Sequence, residues 1–307
     1  MKLEYKDTTK ENWFLISWNL SSKCNYRCSY CPDELHNGAT GWPNWSTIEN
    51  FINNLDIPNK EICFRISGGE PTYWKHFIDL AKLIKSKGYS FSFLTNASQT
   101  LDYFKEINPY TDGVILSYHP EYADLNHFVD IARVMNCPVA VNLMMVKEKF
   151  DDMYKVASFL YSNTDNLAVW PKVVLDKTSN PDYITNNVSD YSEEQLKTIK
   201  QWPFFRPLSD IKLHRGSILL DDQEVTANDL ILQEKNKFQG WDCWGGLHML
   251  SIDKWGDVYR ADCAVGGKLG NISNYSLPST TINCSSEKCS CLSDIYLKKV
   301  IPIQTLN

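Results

Sequence analysis

Cys24, Cys28 and Cys31 stand in the stretch Ser22-Lys-Cys-Asn-Tyr-Arg-Cys-Ser-Tyr-Cys-Pro32. Their C-x3-C-x2-C spacing can wrap one face of a metal cluster. A [4Fe–4S] cluster has four irons and normally takes four thiolates. Three thiolates leave one iron open, and an open coordination position marks a reactive site rather than a structural one. The plainer alternatives are a zinc knuckle with a distant fourth ligand, or three cysteines sharing a loop by chance.

Positioning such a loop needs a scaffold, and the chain has the pattern for one. Trp13–Leu20 is an apolar strand run that leads straight into the cysteine loop. Further strand runs follow at Glu61–Ile66, Ser90–Thr95, Gly113–Ser117, Pro138–Val146 and Leu167–Leu175. Helical periodicity lies between them, at Ser46–Leu55 with Ser46 as the cap, Trp74–Lys87, Leu101–Ile107, Leu125–Met135, Asp152–Tyr161 and Ser192–Trp202. This strand–helix alternation predicts an α/β fold with a parallel sheet. Six units, not eight, predict a partial (β/α)6 barrel over residues 13–205. In such folds the active site sits at the C-terminal ends of the strands. The polar groups fall there: the cysteine loop, Gly68-Gly-Glu-Pro71, Asn96, and Ser117 to His119, with Asn142 inside strand five.

Residues 206–307 read as a small cysteine-rich α+β extension. Ile218–Val225 looks like a hairpin, and Asn228–Lys237 like a short helix. A second hairpin has arms at Leu247–Ile252 and Val258–Arg260, with Asp253–Asp257 as its turn. The final residues suggest a short helix at best. Cys243, Cys263, Cys284, Cys289 and Cys291 lie in this part. Asp176–Asp190, rich in Asn, Ser and Asp, reads as a linker or lid.

Composition bounds the function. With 307 residues the chain can bury a large core. A net charge of −6 gives no electrostatic footprint for duplex nucleic acid, which leaves only a local basic groove for such a partner. No apolar run reaches the roughly 18 residues of a membrane span. Met1–Asn12 carries no apolar signal segment, so the ten cysteines read as metal ligands or thiols of a reducing cytoplasm rather than as disulfides.

The cysteine motif, with Tyr30 before its third cysteine, and the Gly68–Pro71 motif after strand two resemble the radical S-adenosylmethionine (radical SAM) enzymes over roughly residues 13–175. The resemblance implies that Cys24, Cys28 and Cys31 hold a [4Fe–4S] cluster whose open iron is chelated by S-adenosylmethionine (SAM). It implies that Tyr30 packs near the adenine. Gly68, Gly69, Glu70 and Pro71 would meet the methionine amino group through backbone acceptors, and Asn96 and Ser117 the ribose or carboxylate. Reductive cleavage of SAM would give a 5′-deoxyadenosyl radical that abstracts hydrogen from a substrate. An external electron donor such as flavodoxin or ferredoxin would be the partner. The C-terminal cysteines resemble the SPASM/twitch extensions of some relatives, and five thiols suffice for one auxiliary [4Fe–4S] cluster. The longer step from Gly256 to Cys263, and Cys289-Ser-Cys291 in place of C-x2-C, depart from that pattern. A four-thiolate zinc site is the alternative there.

The substrate is expected to be a small molecule, because only about a dozen residues precede strand one and no leader-binding domain fits there. Peptide modification, RNA modification and a non-catalytic iron–sulfur or zinc protein are the competing readings. Tyr118, His119 and Glu121, after strand four, are the candidates for proton transfer at the pocket mouth. Trp170, Lys172, His214 and Arg215 could line the substrate side, but they read first as surface or packing residues.

Overall fold

The computed structural model describes residues 2–6, 12–165, 167–174, 191–204 and 217–302. Asp176–Asp190, His214 and Arg215 lie outside the described residues. Six parallel strands run in chain order: β1 (Trp13–Asn19), β2 (Glu61–Ser67), β3 (Ser90–Thr95), β4 (Gly113–Tyr118), β5 (Val139–Met145) and β6 (Leu167–Val173). Each pairs with the next, as in the register Trp18↔Ile66 and Ile66↔Phe93. The expected strands are therefore present, in the expected order, as a partial barrel.

Alternation sets the two faces of this sheet. One face carries Phe14, Ile16 and Trp18 of β1, Phe64 and Ile66 of β2, and Phe91 and Phe93 of β3. It packs under the helices into the main core. The covering helices are α1 (Trp45–Asn53), α2 (Phe77–Ser86), α3 (Leu101–Ile107), α4 (Leu125–Val134) and α5 (Phe150–Asn163). Their apolar stripes supply Phe51, Phe77, Phe104, Phe128 and Leu160. The cap of α1 is Asn44, not Ser46: Asn44 Oδ1 accepts from the Ser46 and Thr47 amides at 2.9 and 3.4 Å. Such a cap contributes about 1 kcal/mol.

The other face is the barrel interior, and it is more polar. It carries Ser17 of β1, Cys63 and Arg65 of β2, and Ile115, Ala140 and Trp170 of β4 to β6. The last three pack together in a cluster apart from the main core.

The C-terminal part extends the same sheet. Strand β7 (Met249–Ile252) lies parallel to β1, with Leu250↔Ile16, and β8 (Asp257–Tyr259) returns antiparallel to it. Lys268–Asn271 and Asn274–Tyr275 complete ten strands. The turn of the hairpin is closed by Asp253 Oδ1, which accepts from the Trp255 and Asp257 amides at 2.8 and 2.9 Å. The N-terminal strand Leu3–Lys6 pairs with Ser217–Leu220. Among the described residues no helix is long and apolar enough to cross a membrane.

Candidate functional site

The cysteine loop leaves the end of β1 and is clamped by backbone. Ser21 and Ser22 are buried, and Ser22 exchanges hydrogen bonds with Thr40: its amide donates to Thr40 Oγ1 at 2.8 Å and its Oγ accepts from the Thr40 amide at 3.1 Å. From the end of β2, the Gly69 amide donates to Ser21 O at 2.8 Å and the Glu70 amide to Lys23 O at 2.7 Å. A Cβ on Gly69 would stand 2.2 Å from Lys23 O, and one on Gly68, whose φ is +142°, 2.7 Å from Ser21 O. Two glycines are therefore required for the two loops to touch.

Glu70 is fully buried and caps the 3-10 turn Pro71–Tyr73 that follows it. It accepts from the Thr72 amide and hydroxyl at 3.1 and 2.6 Å, from Thr95 Oγ1 at 2.8 Å, and from the Asn96 amide. Burial raises its pKa and these four donors oppose the rise. The side chain thus ties the end of β3 to the loop after β2. Asn96, buried beside it, reaches the cysteine loop: its Nδ2 donates to Asn25 Oδ1 at 2.9 Å and lies 3.9 Å from Cys24 Sγ. The ends of β1, β2 and β3 converge on Cys24 in this way.

The loop after β4 closes the far side. His119 Nδ1 lies 2.7 Å from the Tyr30 hydroxyl and 3.4 Å from Cys28 Sγ, and the two rings stack at 6.0 Å. Burial lowers the His119 pKa to about 4, so the ring is neutral near pH 7. Glu121 accepts from the Ser29 amide at 3.0 Å and from its hydroxyl, and these bonds hold its pKa low against burial. Both side chains dock the cysteine loop. Tyr118, expected at the pocket mouth, instead packs edge-on against Phe128 at 5.1 Å in the core. Tyr30, expected beside an adenine, lies against His119. Ser117 and Asn142 are register neighbours on β4 and β5.

Burial pushes the Cys28 thiol up to about 12, the Tyr30 hydroxyl beside it opposes this, and Glu121, Cys31 and Cys24 raise it further. An open cleft of about 370 Å³ beside Cys24 is lined by Lys23, Asn25, Arg27, Gly38, Trp42 and Tyr73.

The C-terminal thiols form a second group. Cys243 lies on a short strand (Asp242–Cys243) between Ile282–Asn283 and Lys299–Val300. Cys243, Cys284 and Cys289 are buried, and among the described residues no cysteine is joined in a disulfide. Burial pushes Cys289 up to about 12, with Lys299 lowering it and Asp294, Cys243 and Cys284 raising it. Cys291 is raised well above its ordinary value by burial, with Asp294, Asp262, Cys289 and Cys263 adding to the rise. Two buried charges organise the group, and the sequence reading named neither. Asp294 accepts from the Cys263 and Asp262 amides at 2.7 and 3.1 Å. Lys299 donates to the carbonyls of Asp294, Ile295 and Leu297.

Among the described residues no three His, Cys, Asp or Glu side chains close tightly enough to hold a single metal ion. Cys24 and Cys31 are half-buried and Cys28, Cys243, Cys284 and Cys289 buried; thiolates of this kind are the donors that iron–sulfur clusters and zinc both take.

Comparison with known proteins bears on the first group. Residues 18–160 match the family model described as the Radical SAM superfamily. An S-adenosylmethionine-dependent nucleotide dehydratase of Fibrobacter sp. (strain UWH6) is 20% identical over 198 residues, which cover 62% of this chain and 56% of that protein. A GTP 3',8-cyclase of Haemophilus influenzae (strain 86-028NP) is 27% identical over 82 residues, which cover 25% of this chain and 24% of that protein. The chain thus spans about half the length of the first relative and a quarter of the second. Among solved structures, anSMEcpe with bound AdoMet and Kp18Cys peptide is similar at a TM-score of 0.51 and 17% identity, covering 85% of this chain and 78% of that one. Streptococcus suis SuiB bound to S-adenosylmethionine is similar at a TM-score of 0.55 and 14% identity, covering 86% of this chain and 64% of that one. At these identities the two structures speak for the fold alone.

Proposed function

Residues 18–160 belong to the radical SAM superfamily, and on that premise we propose that the protein is a radical SAM enzyme that oxidises a small-molecule substrate, assisted by an auxiliary [4Fe–4S] cluster. The observation that carries this reading is the convergence on Cys24 of three strand ends: the cysteine loop itself, Gly69 and Glu70 through Ser21 and Lys23, and Asn96 through Asn25. Cys24, Cys28 and Cys31 would hold the first cluster. Four of Cys243, Cys263, Cys284, Cys289 and Cys291 would hold the second. When bound, the first cluster and SAM supply one-electron cleavage of SAM and hydrogen abstraction from the substrate.

The chain's own part is orientation and exclusion of water. Glu70 keeps its carboxylate for Thr72, Thr95 and Asn96, so this segment would meet SAM with its backbone. Ser117 would complete the SAM side. Glu121 and His119 fix the loop at Ser29, Cys28 and Tyr30; we assign them positioning roles in place of proton transfer. Lys23 and Arg27 beside the cleft at Cys24 suit approach by an acidic one-electron donor of the flavodoxin or ferredoxin kind.

A small molecule is supported by the two relatives, which are named for acting on nucleotides. A peptide substrate is the second reading, supported by the peptide bound in anSMEcpe and by SuiB's complex with its precursor peptide.

The test is iron and sulfide per chain after anaerobic reconstitution. The wild type should hold about eight irons, and a variant with Cys24, Cys28 and Cys31 all changed to Ala about four. Four irons that vanish in the variant would remove the auxiliary cluster and keep the radical SAM site. A folded wild type that takes up no iron would overturn both.

A further inference from the structure

The inner face of the barrel carries a row of polar side chains. Ser117, Asn142 and Trp170 are register neighbours across β4, β5 and β6. Trp170 packs with Ile115 and Ala140, which places the row on the interior face. Lys172 stands two residues beyond Trp170 on β6, hence on the same face. Arg65, on the interior face of β2, lies within electrostatic reach of Lys172.

The two cations differ in how they are satisfied. Arg65 donates to Ser17 Oγ at 3.0 Å and pairs with Asp262 at 3.6 Å. Lys172 has no hydrogen bond and no carboxylate within ion-pair distance among the described residues. Burial pushes its ammonium below the ordinary lysine value, Cys291 opposes this and Arg65 adds to it. A half-buried, interior-facing ammonium without a carboxylate partner is poorly compensated, and an anionic ligand would repair that. Asn142 on the neighbouring strand likewise has no side-chain hydrogen bond among the described residues. A lone ammonium, a free amide and a second cation nearby form a receptor for a compact oxyanion.

We propose that Lys172, with Arg65 and Asn142, binds an anionic group of the substrate, a phosphate or a carboxylate, on the interior face of the barrel. This rests on reading that face as the substrate side of the enzyme proposed above. The anion would hold the substrate between the two thiol groups and fix which of its carbon–hydrogen bonds is presented.

The test uses the full chain, reconstituted anaerobically, with inorganic phosphate and malonate as probes in isothermal titration calorimetry. At least one probe should bind the wild type. Binding of phosphate alone assigns a phosphate ester, and binding of malonate alone a carboxylate. Lys172→Ala and the near-isosteric Lys172→Gln should each weaken binding by about tenfold or more, while Lys172→Arg should retain it. Lys155→Ala, on the exposed side of α5, should match the wild type. Absence of binding by either probe would overturn the proposal. So would affinity unchanged in a folded Lys172 variant, or displacement of the probe by SAM, which would assign the lysine to the SAM carboxylate. SAM cleavage on the same preparation reports separately on the chemistry: binding without cleavage keeps this inference and contradicts the proposed function.

Discussion

Cys24, Cys28 and Cys31 hang from one short loop braced by long strands, whereas the C-terminal thiols are spread from residue 243 to residue 291 over strands of two to four residues and short turns. The first group is held by groups that are not thiols: backbone bonds from Gly69 and Glu70, Asn96 on Asn25, and Glu121 on Ser29. The second has one buried aspartate and one buried lysine, and little apolar core of its own beyond Phe238, Leu230, Ile295 and their neighbours. A region with a small core gains more of its stability from a bound metal. The first group is thus braced by the barrel itself, whereas the second, if it holds the proposed cluster, would draw more of its order from the metal.

The largest effect that would break this contrast is metal removal. Stripping iron anaerobically with a chelator should raise amide hydrogen exchange strongly in the segments around Cys243, Cys263 and Cys284–Cys291, and leave β1 to β6 protected. Equal loss of protection in both regions would end the distinction.

Next is Glu70→Ala. It leaves the Asn96 and Thr72 amides and two hydroxyls without their buried acceptor, which should cost about 3–5 kcal/mol by urea unfolding. A loss under about 1 kcal/mol would show that the tie between β2 and β3 is not what braces the loop. A smaller effect is expected from Lys299→Met, which keeps the packing over Phe238 but leaves three carbonyls without their donor. About 2 kcal/mol should be lost, and the loss should appear as lower protection near Cys243 and Cys289 with the barrel unaffected.

The barrel was legible because its strands are continuous apolar runs and its helices carry clear 3.6-residue stripes, as at Phe77, Leu80, Ala81 and Ile84. The cysteine loop and the Gly68–Gly69 turn were legible by type and spacing. What could not be read depends on partners remote in the chain. Leu3–Lys6 pairs across more than 200 residues with Ser217–Leu220, and β7 finds its partner in β1; neither register leaves a local signal. Glu70 does start a helical turn, as its N-cap, but its burial against Thr95 and Asn96 depends on where β3 ends. His119 and Glu121 resemble an acid–base pair by residue type, and only their contacts with Tyr30, Cys28 and Ser29 show them docking a loop. Asp294 and Lys299 sit in a stretch without periodicity, so their burial had no forecast.

The most direct measurement is formation of 5′-deoxyadenosine from SAM under reducing, anaerobic conditions, in the wild type and in the variant with Cys24, Cys28 and Cys31 changed to Ala. The account predicts product from the wild type and none above background from the variant. A wild type loaded with iron that leaves SAM intact, or a variant that cleaves it equally well, would contradict it.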